Sequence, residues 1–133
     1  MTRLLDTDTC IDILRGVSAA VDTVSRYSPD DLAISSVTRY ELLYGVARCP
    51  DKRREKETAK VHAFLRILHE IPFDSEAADL AALLRAELTS KGTPIGPMDL
   101  LIAATAKANR LILVTGKLRD FERIEALQLE SWL

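Results

Sequence analysis

Apolar and polar positions divide the chain into short apolar runs and longer helical stretches. Arg3-Leu4-Leu5-Asp6 reads as a short buried strand ending on an acid. Thr7 to Arg15 carries helical spacing, with Thr7 or Asp8 as cap and Gly16 as stop. A second helix is expected over Ala19 to Arg26, a turn at Ser28-Pro29-Asp30-Asp31, and a second strand at Leu32-Ala33-Ile34. Ser35 or Ser36 then caps a helix through Ala47. Asp51 to His69 predicts a long exposed helix, since eight of its first ten residues are charged. Glu70-Ile71-Pro72 is a weak third strand, and Ser75 to Lys91 is strongly helical up to Gly92. Pro97, favoured at a first helical position, opens a helix to about Asn109 that is apolar almost all round and belongs in the interior. Leu111-Ile112-Leu113-Val114 is a continuous apolar strand. A loop carrying Asp120 follows, and Leu127-Gln128-Leu129 is a candidate edge strand.

Strands alternating with helices predict an α/β fold in three layers, a short parallel sheet flanked by helices. Such sheets bind ligands at the carboxyl ends of their strands. The length of 133 residues suits a single domain, 1–133, and the 47% hydrophobic and 29% charged composition predicts an ordinary soluble globular protein. No cleavable apolar leader follows Met1, and the run Leu100 to Ala106 is too short to cross a bilayer, so a cytoplasmic protein without membrane contact is expected. Cys10 and Cys49 then read as reduced thiols. The net charge of −2 excludes a generally basic nucleic-acid-binding domain, so any such site must be local.

The chemistry lies in the acids. Asp6 follows the first strand directly and is either a helix cap or a site residue; Asp8, two residues on, is the better geometric cap. Glu41 falls at the edge of an apolar helical stripe, with Val37 and Tyr44 as neighbours and Gly45 clearing space one turn away. Asp99 is the only charged side chain between Lys91 and Lys107 and sits in the first turn of the apolar helix. Asp120 follows the last buried strand. Brought to one sheet edge, these carboxylates repel unless cations neutralise them. Oxygen-only ligands select Mg²⁺ or Mn²⁺, ions suited to phosphoryl displacement. His62 and His69 fall in the charged helix, and no Cys/His zinc spacing exists.

At these residues the chain resembles a known family. Leu4-Leu5-Asp6-Thr7-Asp8-Thr9-Cys10-Ile11 is similar to the opening of PIN domains. The run Ile34 to Gly45, with Tyr40-Glu41-Leu42, resembles the second acidic segment of VapC-type toxins, and Pro94-Ile95-Gly96-Pro97-Met98-Asp99 resembles the third. Val114-Thr115 through Asp120-Phe121, ending at Trp132, resembles the VapC C-terminal run. The resemblance implies a PIN-like α/β/α domain and a metal-dependent endoribonuclease acting on RNA, with transfer RNA as the expected substrate. It implies Asp6, Glu41 and Asp99 as catalytic and metal-binding acids, Asp120 as a more variable fourth, Asp8 beside them, and Thr115 orienting water or a carboxylate. It further implies a homodimer assembled with a VapB-type antitoxin that places a basic residue among Asp6, Glu41 and Asp99, its apolar stretch lying near Ile11, Leu14 and Leu43.

Two departures stand out. Many members carry asparagine at the position of Asp8, and many carry two asparagines and a threonine where this chain has Gly116-Lys117-Leu118. Two alternatives remain open at this point. Asp6-Thr7-Asp8-Thr9 also fits a haloacid-dehalogenase-like phosphatase, and the missing asparagines suit a catalytically weak PIN-fold binding module.

Overall fold

The computed structural model describes residues 2–133. Strands β1 (Arg3–Leu5), β2 (Leu32–Ser35), β3 (His69–Ile71), β4 (Ile112–Val114) and β5 (Leu129–Glu130) form one sheet in the order β3-β2-β1-β4-β5. All four pairings are parallel, with Leu4 opposite Ala33 on one side and Leu113 on the other. The helices are α1 (Thr7–Leu14), α2 (Ser18–Val24), α3 (Ser36–Ala47), α4 (Asp51–Ile67), α5 (Ser75–Ser90), α6 (Pro97–Ala108) and α7 (Leu118–Phe121). None is long and apolar enough to cross a membrane among the described residues.

Because strand side chains alternate, each central strand feeds two cores. Leu4, Ala33 and Leu113 face α5 and α6, where they meet Leu84, Leu88, Ile102 and Ala103. Leu5, Ile34 and Val114 face the other way, against Cys10, Leu42, Val46, Val61 and Leu65 of α1, α3 and α4. The expected three-layer α/β/α architecture is therefore the observed one. Gly16 ends α1 at φ +77, with its N–H on Ile13 O at 3.1 Å and the Val17 N–H on Asp12 O at 2.9 Å, a left-handed helix stop.

Several boundaries differ from the sequence expectation. The charged helix stops at Ile67, because Leu68 turns extended (φ −100, ψ 149) and His69 joins β3 opposite Ala33. His69 is thus a strand residue. The edge strand lies at Leu129–Glu130, where Arg3 Nε donates to Glu130 Oε2 at 2.7 Å and Trp132 Nε1 donates to the same oxygen at 2.8 Å. Trp132 stacks on Tyr27 at 5.4 Å between centroids, and the Arg3 guanidinium lies 4.5 Å from the Tyr27 ring. Asp120 is on the short helix α7 rather than in a loop. The cause is Phe121, which is fully buried and draws the segment into one turn, with the N–H groups of Asp120 and Phe121 on Lys117 O at 3.1 and 3.3 Å.

Phe121 therefore anchors the loop after β4 to the core shared with Leu113 and Ile102. Phe121→Ala should cost about 3–5 kcal/mol in a urea titration, the range for a buried aromatic truncated in a core. A loss below about 1 kcal/mol would mean that α7 is not anchored in this way.

Candidate active site

With all strands parallel, their carboxyl ends lie along one edge, and the order β3-β2-β1-β4-β5 makes successive strands spread outward in opposite senses from the β1/β4 pair. Asp6 leaves β1 at this switch point and Thr115 leaves β4 beside it, in the crevice where open α/β sheets bind ligands. The Asp6 N–H donates to Val114 O at 3.0 Å, which continues the pairing one residue past the strands.

Asp6, not Thr7 or Asp8, caps α1. Its backbone is extended (φ −73, ψ 171), and its Oδ1 accepts from the Thr9 N–H at 2.9 Å. Asp8 lies inside the first turn and is exposed, where it cannot cap. Asp6 is 1% exposed. Desolvation pushes its carboxyl group above the usual range, against the pull of hydrogen bonds from the Thr115 hydroxyl and from Thr9. Thr115, itself fully buried, accepts in turn from the Lys117 N–H at 2.9 Å.

Glu41 comes from α3, which starts at the carboxyl end of β2 with Ser35 as cap. The Thr7 hydroxyl donates to Glu41 Oε1 at 2.6 Å, and Thr7 and Thr38 lie 3.1 Å apart, oxygen to oxygen. The Ser35 hydroxyl donates to Thr38 at 3.3 Å. These hydroxyls orient Glu41. Gly45 does not make room for it, since a Cβ there would meet nothing within 4 Å.

Asp99 stands in the first turn of α6, where the helix dipole favours a negative charge. Lys117 Nζ lies 3.0 Å from Asp99 Oδ2 and 3.1 Å from Asp8 Oδ2. Burial works against the Lys117 charge, but its hydrogen bonds to Asp99 and Asp8 and their negative charge outweigh this and hold its pKa above the ordinary value. Asp120 stands apart, with Arg123 as its ion-pair partner at 3.8 Å.

The structure thus links Asp6 to Thr115 and Asp99 to Asp8 on one edge, and attaches Glu41 through Thr7. It does not bring the acids into one cage: among the described residues, no three His, Cys, Asp or Glu side chains are placed to hold an ion. Each carboxylate is satisfied by a neighbour on the chain instead. The donor set nonetheless fits a hard divalent ion. Its ligand atoms are all oxygen, and Asp8 and Asp99 already share a cation, the Lys117 ammonium. Sequence reasoning did not see Lys117 as a partner of the acids and missed Thr7 and Thr38. A lysine after Val114-Thr115 was the available signal; the threonines gave none, because their partners lie 31 to 34 residues away.

A groove of about 500 Å³ opens beside these residues, lined by Asp8, Thr9, Ile11, Arg15, Gly116 and Lys117 among others. A Cβ at Gly116 would meet Leu133 Cδ1 at 2.8 Å, so glycine lets that side chain lie against the loop. A second cavity of about 570 Å³, between α5 and the start of α6, is apolar and has no acidic lining.

The model of the PIN domain matches residues 3–127. A tRNA(fMet)-specific endonuclease VapC of Salmonella typhimurium is 36% identical over 129 residues, 97% of this chain and 96% of that protein. Ribonuclease VapC2 of Rickettsia felis is 36% identical over 134 residues, 99% of this chain and 98% of that one. Among solved structures, DNA-bound VapBC from Salmonella typhimurium superposes with a TM-score of 0.92 at 35% identity, covering 100% of this chain and 99% of its counterpart. VapBC2 from Rickettsia felis, bound to a promoter DNA fragment, gives 0.91 at 33% identity, with both chains covered in full.

The raised pKa of Asp6 has a consequence for stability. The folded state holds the Asp6 proton more tightly than the unfolded chain, so ionised Asp6 costs stability at neutral pH, and the cost fades as pH falls through its folded pKa. Asparagine keeps the cap and removes the buried charge. In EDTA at pH 7, Asp6→Asn should melt above the wild type, because the variant carries no buried charge there. The gap should close as pH approaches about 4, the ordinary aspartate range. A lower melting temperature for the variant at pH 7 would contradict this account.

Proposed function

Because the chain belongs to the PIN-domain family, among its VapC ribonucleases, we propose that residues 1–133 form one catalytic domain, a metal-dependent endoribonuclease toxin that cuts transfer RNA. The observation that carries this reading is the match, over 97% of the chain, to a protein named as a tRNA(fMet)-specific endonuclease. The placement of Asp6 at the switch point of the sheet, with Asp99 held by Lys117 from the loop after β4, supports it.

Asp6, Glu41 and Asp99 would hold Mg²⁺ or Mn²⁺, with Asp120 as an outer fourth acid. The ion, when bound, supplies a Lewis acid and an activated water for displacement at phosphorus. The chain's own groups set the geometry. Asp6 is the fixed member, since the Thr9 N–H holds its carboxylate and its own N–H is bound to Val114 O. Glu41 is aimed by Thr7, which Thr38 and Ser35 restrain in turn. Arg15, in the groove beside Asp8, offers local positive charge to RNA phosphates on a chain whose net charge is −2.

A dehalogenase-like phosphatase is not favoured, because the relatives are ribonucleases. The solved structures of VapBC relatives support a VapB-type antitoxin as partner; a toxin homodimer within that complex, and its place in the cytoplasm, are part of the proposal.

Purified protein should cleave total transfer RNA in Mg²⁺ or Mn²⁺ and stop in EDTA. Asp99→Asn should remain folded and lose more than about a hundredfold in rate, beyond the 10–100-fold typical of groups that only orient a ligand. Cleavage by a folded Asp99→Asn protein, or cleavage that persists in EDTA, would remove the metal site. Failure of the wild type to cleave any transfer RNA in either metal would leave a binding module.

A further inference from the structure

Lys117 is unlike every other base in the fold. Among the described residues, the remaining ion pairs each join one base to one acid, whereas the Lys117 ammonium is shared between Asp8, at 3.1 Å, and Asp99, at 3.0 Å. The Asp99 side chain is only 19% exposed. The backbone of Lys117 is pinned as well: its N–H donates to the Thr115 hydroxyl oxygen, and its carbonyl accepts from Asp120 and Phe121. The cation is therefore delivered to the acids from a fixed backbone.

We propose that Lys117 is a tethered counter-cation of the acid site, occupying at Asp99 the place that a divalent ion takes over, so that metal binding and release of Lys117 from Asp99 are one exchange. This rests on the metal-site reading above. Asp99 Oδ2 cannot face an ammonium at 3.0 Å and a divalent ion together without bringing two cations into repulsive contact. Asp8 gives the released ammonium a partner on the same side of the groove, so the exchange needs a side-chain swing and no movement of the loop. Lys117 thereby lowers metal affinity and steadies the protein when metal is scarce. An ordinary surface ion pair would do neither, because it would leave the metal's ligands untouched.

The test compares full-length wild type, Lys117→Met and Lys117→Arg by Mn²⁺ calorimetry and by thermal melting in EDTA. Lys117→Met should bind Mn²⁺ about tenfold more tightly, the effect of removing a competing charge worth about 1.4 kcal/mol. It should also melt lower in EDTA and show a larger rise on adding Mn²⁺. Lys117→Arg keeps the cation and should stay within about threefold of the wild-type affinity, well inside the tenfold step. Should Lys117→Met unfold in EDTA, the same comparison is made in an Asp8→Asn background, which relieves the repulsion, and Mn²⁺ must again bind more tightly. Unchanged or weaker Mn²⁺ binding in either comparison overturns the role of Lys117 and leaves the metal site standing. If neither wild type nor Lys117→Met binds Mn²⁺, the metal-site reading falls and the counter-cation falls with it.

Discussion

A carboxylate at 1% exposure, at the end of a central strand, constrains everything around it. A charge in that position persists only when hydrogen-bond donors replace the lost water. Asp6 is tied to two elements: its Oδ1 accepts from the Thr9 N–H at the start of α1, and its own N–H donates to Val114 O at the end of β4. The first fixes the direction in which α1 departs from the sheet. The second fixes the loop that leads to Lys117 and, through Phe121, to the core beneath. The acid that is costliest to bury is thus also the one that locks the neighbouring strand ends together.

Much of this was legible in the sequence because it depends on local pattern. The apolar run before Asp6, the alternation that sends Leu4 and Leu5 to opposite cores, and the lone charge of Asp99 in an apolar helix all announce themselves within a few residues. Helix ends were read less well. Asp8 looked like the cap because it sits next to helical spacing, yet the cap position went to the residue with extended backbone, Asp6. His69 looked helical by its charged surroundings, but pairing with Ala33 overrode that local preference. Such outcomes follow from tertiary contacts, which no window of sequence contains.

The site itself was half visible. Four acids could be picked out, but their partners could not: Thr7 meets Thr38 and Glu41 across 31 and 34 residues, and the Lys117 ammonium meets Asp99 across 18 and Asp8 across 109. The two departures from the family pattern looked independent in the sequence. In the fold they touch, since the extra negative charge at Asp8 lies against the extra positive charge at Lys117. Opposite charges at 3.1 Å offset one another, so the local balance changes less than either substitution alone would suggest.

The chain has a single tryptophan, and its position is informative. Trp132 is 6% exposed, lies flat against Tyr27 and donates to Glu130, the residue through which β5 pairs with β4. The Glu130 carbonyl in turn accepts from the Thr115 N–H at 2.9 Å, one bond away from the buried acid. The intrinsic fluorescence of this protein is therefore an optical gauge of how firmly the last strand is docked. The indole reports on the far margin of the sheet, and it senses events among the acids only to the extent that Thr115 transmits them.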